Sequence, residues 1–313
     1  MSLWIQRTQI TTLLLTLAVL SGSAIRGNEC HAGDIKVLVW DERQPSQKEA
    51  YPEFIGGAIS KHLSTLESIE VRSRSIDDPD QGISEADLEW ADVLIWWGHV
   101  RQHELKPKVV QERIVSRIQN GDLCLIALHS AHWSTPFVEA MNARTKQDVL
   151  KLYPPERSKF TYVDPPGRLP PTHESILTPA IYALKSSPNS YQVRIDLPNC
   201  CFPDYRPDGA PSTIEVLKQD HPIAQGLGKS FQVQHTEMYN EPFHVPAPDD
   251  VIFKETWSRG EWFRAGMLWT LGKGTIFYFR PGHETFPVYL QKEPLLVIEN
   301  AVRFLGKELE ESK

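Results

Sequence analysis

The chain of 313 residues is poor in cysteine and methionine, with four of each. Four cysteines are too few for a disulfide framework at this length. The sequence has no CxxC pair, which removes a zinc ribbon, and no HExxH or comparable metalloprotease spacing. It also lacks a basic run: the net charge is -7 and the isoelectric point is about 5.9, so there is no electrostatic footprint for nucleic acid. Beyond the first two dozen residues no apolar run is long enough to span a bilayer. Internal repeats and low-complexity tracts are missing too, which removes solenoids and disordered tethers. Small-molecule chemistry is the class that remains.

The amino terminus reads as an export leader. Arg7 gives it a weakly basic start, Ile10 to Leu20 an apolar core, and Gly22-Ser23-Ala24 the small residues of a cleavage site. Residues 1–24 are therefore assigned to a signal peptide, and the mature protein is expected in the periplasm or outside the cell. Cys30 follows Asn28-Glu29, without the small residues of a lipidation site. In an oxidising compartment it could pair with Cys200 or Cys201, whereas Cys124 reads as a small buried hydrophobe. With 41% hydrophobic residues, the remainder supports one large domain with a sizeable insertion.

The pivotal stretch is Leu123 to Ser134. Six apolar residues end abruptly at His129-Ser130-Ala131-His132, the signature of a buried parallel strand that delivers polar side chains to one edge of a sheet. Similar strands are predicted at Ile35–Trp40, Ile69–Ser75 and Asp92–Trp97. Helices are predicted between them at about 52–66 and 107–120, the second closing at Gly121. Ser84 and Asp87 predict a capped short helix, and Thr135-Pro136 starts another that runs toward Ala143. Alternation of this kind predicts an α/β fold with a doubly wound, mostly parallel sheet. From about 150 to 212 the pattern breaks into a proline-rich insertion in which only Tyr191–Leu197 resembles a strand, read as wrapped on the surface near the site. Strands return near 214–217, 251–253, 266–270 and 275–279. Gly272-Lys273-Gly274 forms a hairpin, and a last helix from about Pro294 to Leu305 closes at Gly306.

In an open α/β sheet, ligands bind at the carboxyl ends of the strands. Glu42, His99, His129, Ser130, His132, His235, Glu237, His283 and Glu284 all fall at predicted strand ends. Three chemistries suit them. A zinc or manganese ion could be held by His235, Glu237 and His129, with His235 and Glu237 on one face of an extended segment. Ser130 could be a nucleophile with a histidine base, although Leu128-His129-Ser130-Ala131-His132 lacks the flanking glycines of a nucleophile elbow, and Ser130 equally suits a helix cap. Alternatively His129, His283, Glu284 or Glu237 removes a proton beside a carbonyl, with Arg280 or backbone amides holding the developing charge. Arg280 and Glu284 could instead pair as a structural ion bridge. Trp96, Trp97, Trp133, Tyr239, Trp257, Trp262 and Trp269 are mainly core candidates, and one or two at strand ends would make a sugar-stacking surface.

Several motifs in fixed order resemble the ThuA-like (trehalose utilisation) family of the class I glutamine amidotransferase-like superfamily, over about Ile35 to Gly306 outside the insertion. They are Val39-Trp40-Asp41-Glu42, Val93 through His99, Leu128 through His132, Asp220-His221-Pro222-Ile223, Glu237-Met238-Tyr239 and Ile276 through Glu284. The resemblance implies a flavodoxin-like sheet and a role on a disaccharide or keto-glycoside. It does not carry over amidotransferase chemistry, because His129-Ser130 stands where that superfamily has its cysteine. The expected enzyme is an exported carbohydrate-active protein that isomerises its substrate or cleaves a glycosidic C–O bond. His129, His283, Glu284 and Glu237 would do the chemistry, while Glu42, His99, Ser130, His132, Tyr239 and Arg280 bind substrate. A divalent metal is the one cofactor considered. No nucleotide cofactor, nucleic-acid partner or stable membrane span is expected, and a homo-oligomer is allowed. The competing readings are a sugar-binding protein without turnover and a serine hydrolase.

Overall fold

The apolar run that organises the sequence becomes the strand Cys124–Leu128, all five residues buried. It is apolar throughout because helices cover both faces of the sheet around it. The structure, a computed structural model, describes residues 34–167, 169–188 and 190–312. The leader assigned to residues 1–24 and Cys30 with its pairing lie outside the described residues.

In chain order the strands are β1 (Ile35–Asp41), β2 (Ile69–Ser75), β3 (Val93–Trp97), β4 (Cys124–Leu128), β5 (Ser158–Val163), β6 (Ala180–Ser187), β7 (Ser190–Asp196), β8 (Asp204–Arg206), β9 (Ser212–Val216), β10 (Ser230–Val233), β11 (Met238–Asn240), β12 (Asp250–Thr256), β13 (Trp262–Leu271) and β14 (Gly274–Phe279). The helices are α1 (Phe54–Leu63), α2 (Glu85–Trp90), α3 (Pro107–Val110), α4 (Ser116–Asn120), α5 (Thr135–Leu152) and α6 (Lys292–Ser312), with a π-helical turn at Gln111–Val115 joining α3 to α4.

Nine strands form the main sheet in the order β10-β9-β12-β13-β14-β4-β3-β1-β2. Strands β2, β1, β3, β4 and β14 run parallel, and this 2-1-3-4-5 succession is that of a flavodoxin-like sheet. From β14 outward the pairing is antiparallel. Side-chain parity divides the core. Leu38, Trp40, Leu94 and Trp96 join the cluster that includes Val110, Ile114 and Phe137, where Trp40 and Trp96 stack at 3.7 Å. Val37, Val39, Val93 and Ile95 pack on the opposite face with Ile55, Ile59, Val297 and Ala301. The period-2 alternation of the strands thus buries both faces.

Local chemistry explains several boundaries. The Ser84 hydroxyl accepts from the Asp87 amide and caps α2. Gly121, at φ 82°, ends α4 in the left-handed conformation that glycine tolerates. Three expectations are corrected. Helix α5 extends well past Ala143, to Leu152. Helix α6 runs through Gly306 instead of ending there, and a Cβ on Gly306 would meet Ile35 at 2.8 Å, so its role is close packing. The insertion is also more regular than its prolines suggest: β5, β7 and β6 form a separate three-stranded sheet, and β8 pairs with β11. Among the described residues, no helix is long and apolar enough to cross a membrane.

Candidate active site

The carboxyl ends of β1, β3, β4 and β14 bring four loops together, and His129 leaves β4 at φ 47°, a left-handed conformation that non-glycine residues adopt at a cost. The position is fixed from several sides. Tyr278 donates its hydroxyl proton to the His129 carbonyl at 2.8 Å. The imidazole stacks between Trp97, at 5.5 Å, and Tyr239, at 4.8 Å. Gly282 leaves room for it, since a Cβ there would lie 2.4 Å from the His129 Cβ.

The imidazole is fully buried. Its Nδ1 lies 3.0 Å from the Arg280 carbonyl, which can only accept, so Nδ1 carries a proton. Nε2 then faces the Glu237 carboxylate and the Tyr239 hydroxyl, each at 3.1 Å. Burial pushes the imidazole pKa down, outweighing the bond and charge of Glu237. Burial opposes ionisation of Glu237 as well, but the bond to His129 and the fields of His283 and His99 hold its carboxyl below the usual range. At 3.1 Å the charge states of His129 and Glu237 are coupled, and the two titrate as a unit. Burial raises the Tyr239 hydroxyl well above its ordinary value, leaving it a hydrogen-bond donor.

Glu237 reaches a cavity of about 340 Å³ lined by His99, His132, Trp133, Leu169, Pro170, Cys201, Phe202, Tyr205, Glu237 and Tyr239. The size is at the small end for ligand pockets. Among the described lining residues Glu237 is the one carboxylate. Half of the lining (Leu169, Pro170, Cys201, Phe202 and Tyr205) comes from the insertion. Phe202 stacks on Tyr239 at 4.0 Å, and His132 stacks on Trp133 at 5.3 Å while its Nδ1 binds the Cys200 carbonyl at 2.6 Å.

A second charged pair flanks the first. His99 Nδ1 stands 3.2 Å from Glu284 Oε1, and Gln44 donates to the same oxygen at 3.3 Å. Burial disfavours the His99 imidazolium, but the bond and charge of Glu284, with Glu237 and Glu42 behind it, raise its pKa above the ordinary histidine value. Glu284 is depressed to about 2: burial opposes this, and His99 and His283 overcome it. His283 Nδ1 accepts from the Thr285 amide and hydroxyl at 3.1 and 2.9 Å, and its Nε2 lies 3.9 Å from Glu284.

Other expected site residues have structural partners. Glu42 is buried and accepts from the Val100 and Arg101 amides at 2.7 and 3.0 Å, fixing the loop that carries His99. Ser130 is buried and donates to the Gly98 carbonyl at 3.0 Å, with no imidazole as its partner. That geometry is a tie between β3 and β4, not an activated nucleophile. Arg280, expected to bind substrate, is fully buried. Its guanidinium bonds to Glu255, to the Glu237 carbonyl and to the Thr236 hydroxyl, so it positions Glu237 from behind and does not pair with Glu284.

The expected metal set does not assemble. The chain bends at Gln234 and His235 instead of running extended, so His235 is exposed and turned to the Gly209 carbonyl at 3.2 Å, away from Glu237. Both nitrogens of His129 are engaged by protein groups. Among the described residues no group of three His, Cys, Asp or Glu could hold a metal ion. The residues that sequence reasoning missed are Glu255, Phe202 and Tyr205. Glu255 shares strand parity with the buried Phe253 in β12, a legible sign of an inward carboxylate. Nothing in the proline-rich segment singled out Phe202 or Tyr205.

Comparison with known proteins agrees with the fold. The trehalose utilisation (ThuA) family profile matches residues 36–305. No curated protein matches the chain significantly. A crystal structure of a ThuA-like protein from Bacteroides uniformis is 14% identical, with a TM-score of 0.52 over 90% of this chain and 94% of that one. Another from Parabacteroides merdae is 12% identical, with a TM-score of 0.57 over 87% and 90%. At these identities the likeness is one of fold.

Proposed function

Because the chain belongs to the ThuA trehalose-utilisation family, which supports a carbohydrate-related role, we propose that it is an exported enzyme acting on a sugar already oxidised to a ketone, with Glu237 as the base. The observation that carries this reading is the one carboxylate among the described lining residues of an aromatic-walled cavity, backed by His129 and Tyr239. A carboxylate held below the usual range is ionised at neutral pH but weakly basic. The substrate therefore has to supply acidity of its own, and a ketone beside the C–H bond does so. An unoxidised disaccharide offers no such proton.

His129 does not reach the cavity lining. It acts through Glu237, fixing the carboxylate, and is a positioning residue. Tyr239 is covered by His129 and Phe202, and it is the exposed Tyr205 of the cavity lining that offers an aromatic face to the C–H face of a pyranose ring.

The test is proton exchange. Wild-type protein with 3-keto-trehalose in D₂O is expected to wash out the proton on the carbon next to the ketone and to form product. Glu237→Gln, nearly isosteric, is expected to slow both by roughly 100-fold or more, the usual range for loss of a general base. Binding without exchange in the wild type would leave a sugar-binding protein in place of an enzyme.

A further inference from the structure

The His99–Glu284 pair is unused by the base chemistry above. It is built from loops separate from that of Glu237: His99 follows β3 and Glu284 follows β14. With Nδ1 facing Glu284 at 3.2 Å, Nε2 makes no hydrogen bond among the described residues, and the side chain is one-third exposed in a residue that lines the cavity. Glu237, Glu42 and Glu284 face it, each from a different loop. Arg101, two residues away, is engaged by Asp77 and Glu104. His99 and Glu237 make no hydrogen bond to each other and are coupled only through their charges.

We infer that His99, seated on Glu284, is the proton donor to a departing glycosidic oxygen in the cavity that holds Glu237, so that the site cleaves its substrate by elimination. This rests on the base assigned to Glu237. An isomerase returns the abstracted proton to carbon and can do so with one base. A separate acid on its own counter-ion is what bond cleavage adds. Trp133 and Tyr205, the latter 58% exposed, line the same cavity.

The step balances without water or an oxidant. Glu237 takes the proton from the carbon between the ketone and the anomeric carbon. The C–H electron pair becomes a carbon–carbon double bond, the anomeric C–O bond breaks with its electrons on oxygen, and His99 Nε2 passes a proton to that oxygen. The products are an unsaturated keto-sugar and a free alcohol, with Glu237 one proton richer and His99 one poorer until solvent resets both. The supporting charge state is consistent: burial notwithstanding, the surrounding carboxylates favour a protonated His99.

The experiment compares two 3-keto-glucosides, one with methanol and one with 4-nitrophenol as the leaving group, together with deuterium exchange. His99→Gln is expected to slow cleavage of the methyl glycoside by about 100-fold or more, cleavage of the nitrophenyl glycoside by less than about tenfold, and exchange hardly at all. Glu284→Gln, which keeps the imidazole, is expected to move the alkaline limb of the methyl-glycoside profile to lower pH. Equal losses on both glycosides, or loss of exchange with His99→Gln, would overturn the acid role and leave the base intact. No exchange and no cleavage by the wild type would overturn both.

Discussion

Removing the carboxylate of Glu255 is the sharpest test of how the site is held. Glu255 and Arg280 are fully buried and bonded to each other, and Ser212 donates to the same Glu255 oxygen. Glu255→Ala leaves a guanidinium in the interior with the Glu237 carbonyl and the Thr236 hydroxyl as hydrogen-bond acceptors, the rings of Trp257 and Tyr239 beside it and no counter-charge bonded to it. Breaking a buried ion pair from one side costs about 3–5 kcal/mol. For a domain of this size, at roughly 2 °C per kcal/mol, the melting temperature should fall by about 6–10 °C. Circular dichroism on wild type and variant measures this directly. The double variant Glu255→Ala/Arg280→Met should regain much of the stability, because an apolar replacement of both partners leaves no unpaired charge. It should nevertheless lose deuterium exchange, because Arg280→Met takes away the donor to the Glu237 carbonyl. A loss below about 1 kcal/mol in Glu255→Ala, the range of an exposed pair, would refute the buried-pair reasoning. A double variant with full exchange would refute the positioning role of Arg280.

Two further substitutions probe the elbow. Gly282→Ala puts a methyl 2.4 Å from the His129 Cβ and 2.6 Å from its Cγ; overpacking of this kind costs about 1–3 kcal/mol, and the displaced imidazole should take most of the exchange activity with it, whereas unchanged melting and rate would show that the ring is not held there. Ser130→Ala deletes a hydroxyl that serves one backbone carbonyl, so stability should drop by about 1 kcal/mol while turnover stays near wild type; a collapse of activity at unchanged stability would restore the serine-nucleophile reading.

The sheet was legible because both of its faces are covered. Runs such as Val93–Trp97 and Leu123–Leu128 are apolar at every position, and each ends in polar residues that the structure places at strand ends. The site was legible as a convergence of loops but not as a division of roles. Sequence order says that Arg280 and Glu284 are close, yet the backbone turns between them, and each finds its partner elsewhere, in Glu255 and His99. His235 and Glu237 were expected on one face because two residues in a strand share one. The bend at Gln234 and His235 breaks that parity. The insertion hid its contribution for a different reason: proline and short apolar runs carry no periodicity, so a segment that forms β5 to β8 and half of the cavity lining had no pattern to read.

The strand-to-helix elbow itself shows why the chemistry moved off β4. An elbow used for nucleophilic attack projects its side chain into open space, and the backbone strain serves that exposure. Here the strain is kept and the exposure is not: His129 has φ 47° yet is fully buried. A left-handed residue costs on the order of 1–3 kcal/mol and persists only where its surroundings over-determine it. Those surroundings are the Tyr278 hydroxyl on the carbonyl, the Arg280 carbonyl on Nδ1, two aromatic faces and the absent Cβ of Gly282. Every one of them restrains the imidazole, and the only ionisable group that Nε2 is left to touch besides the Tyr239 hydroxyl is Glu237. The rigid position at the end of the central strand is therefore spent on aiming a carboxylate that belongs to another loop, and the reacting group sits one side chain farther out, where the insertion closes the cavity around it.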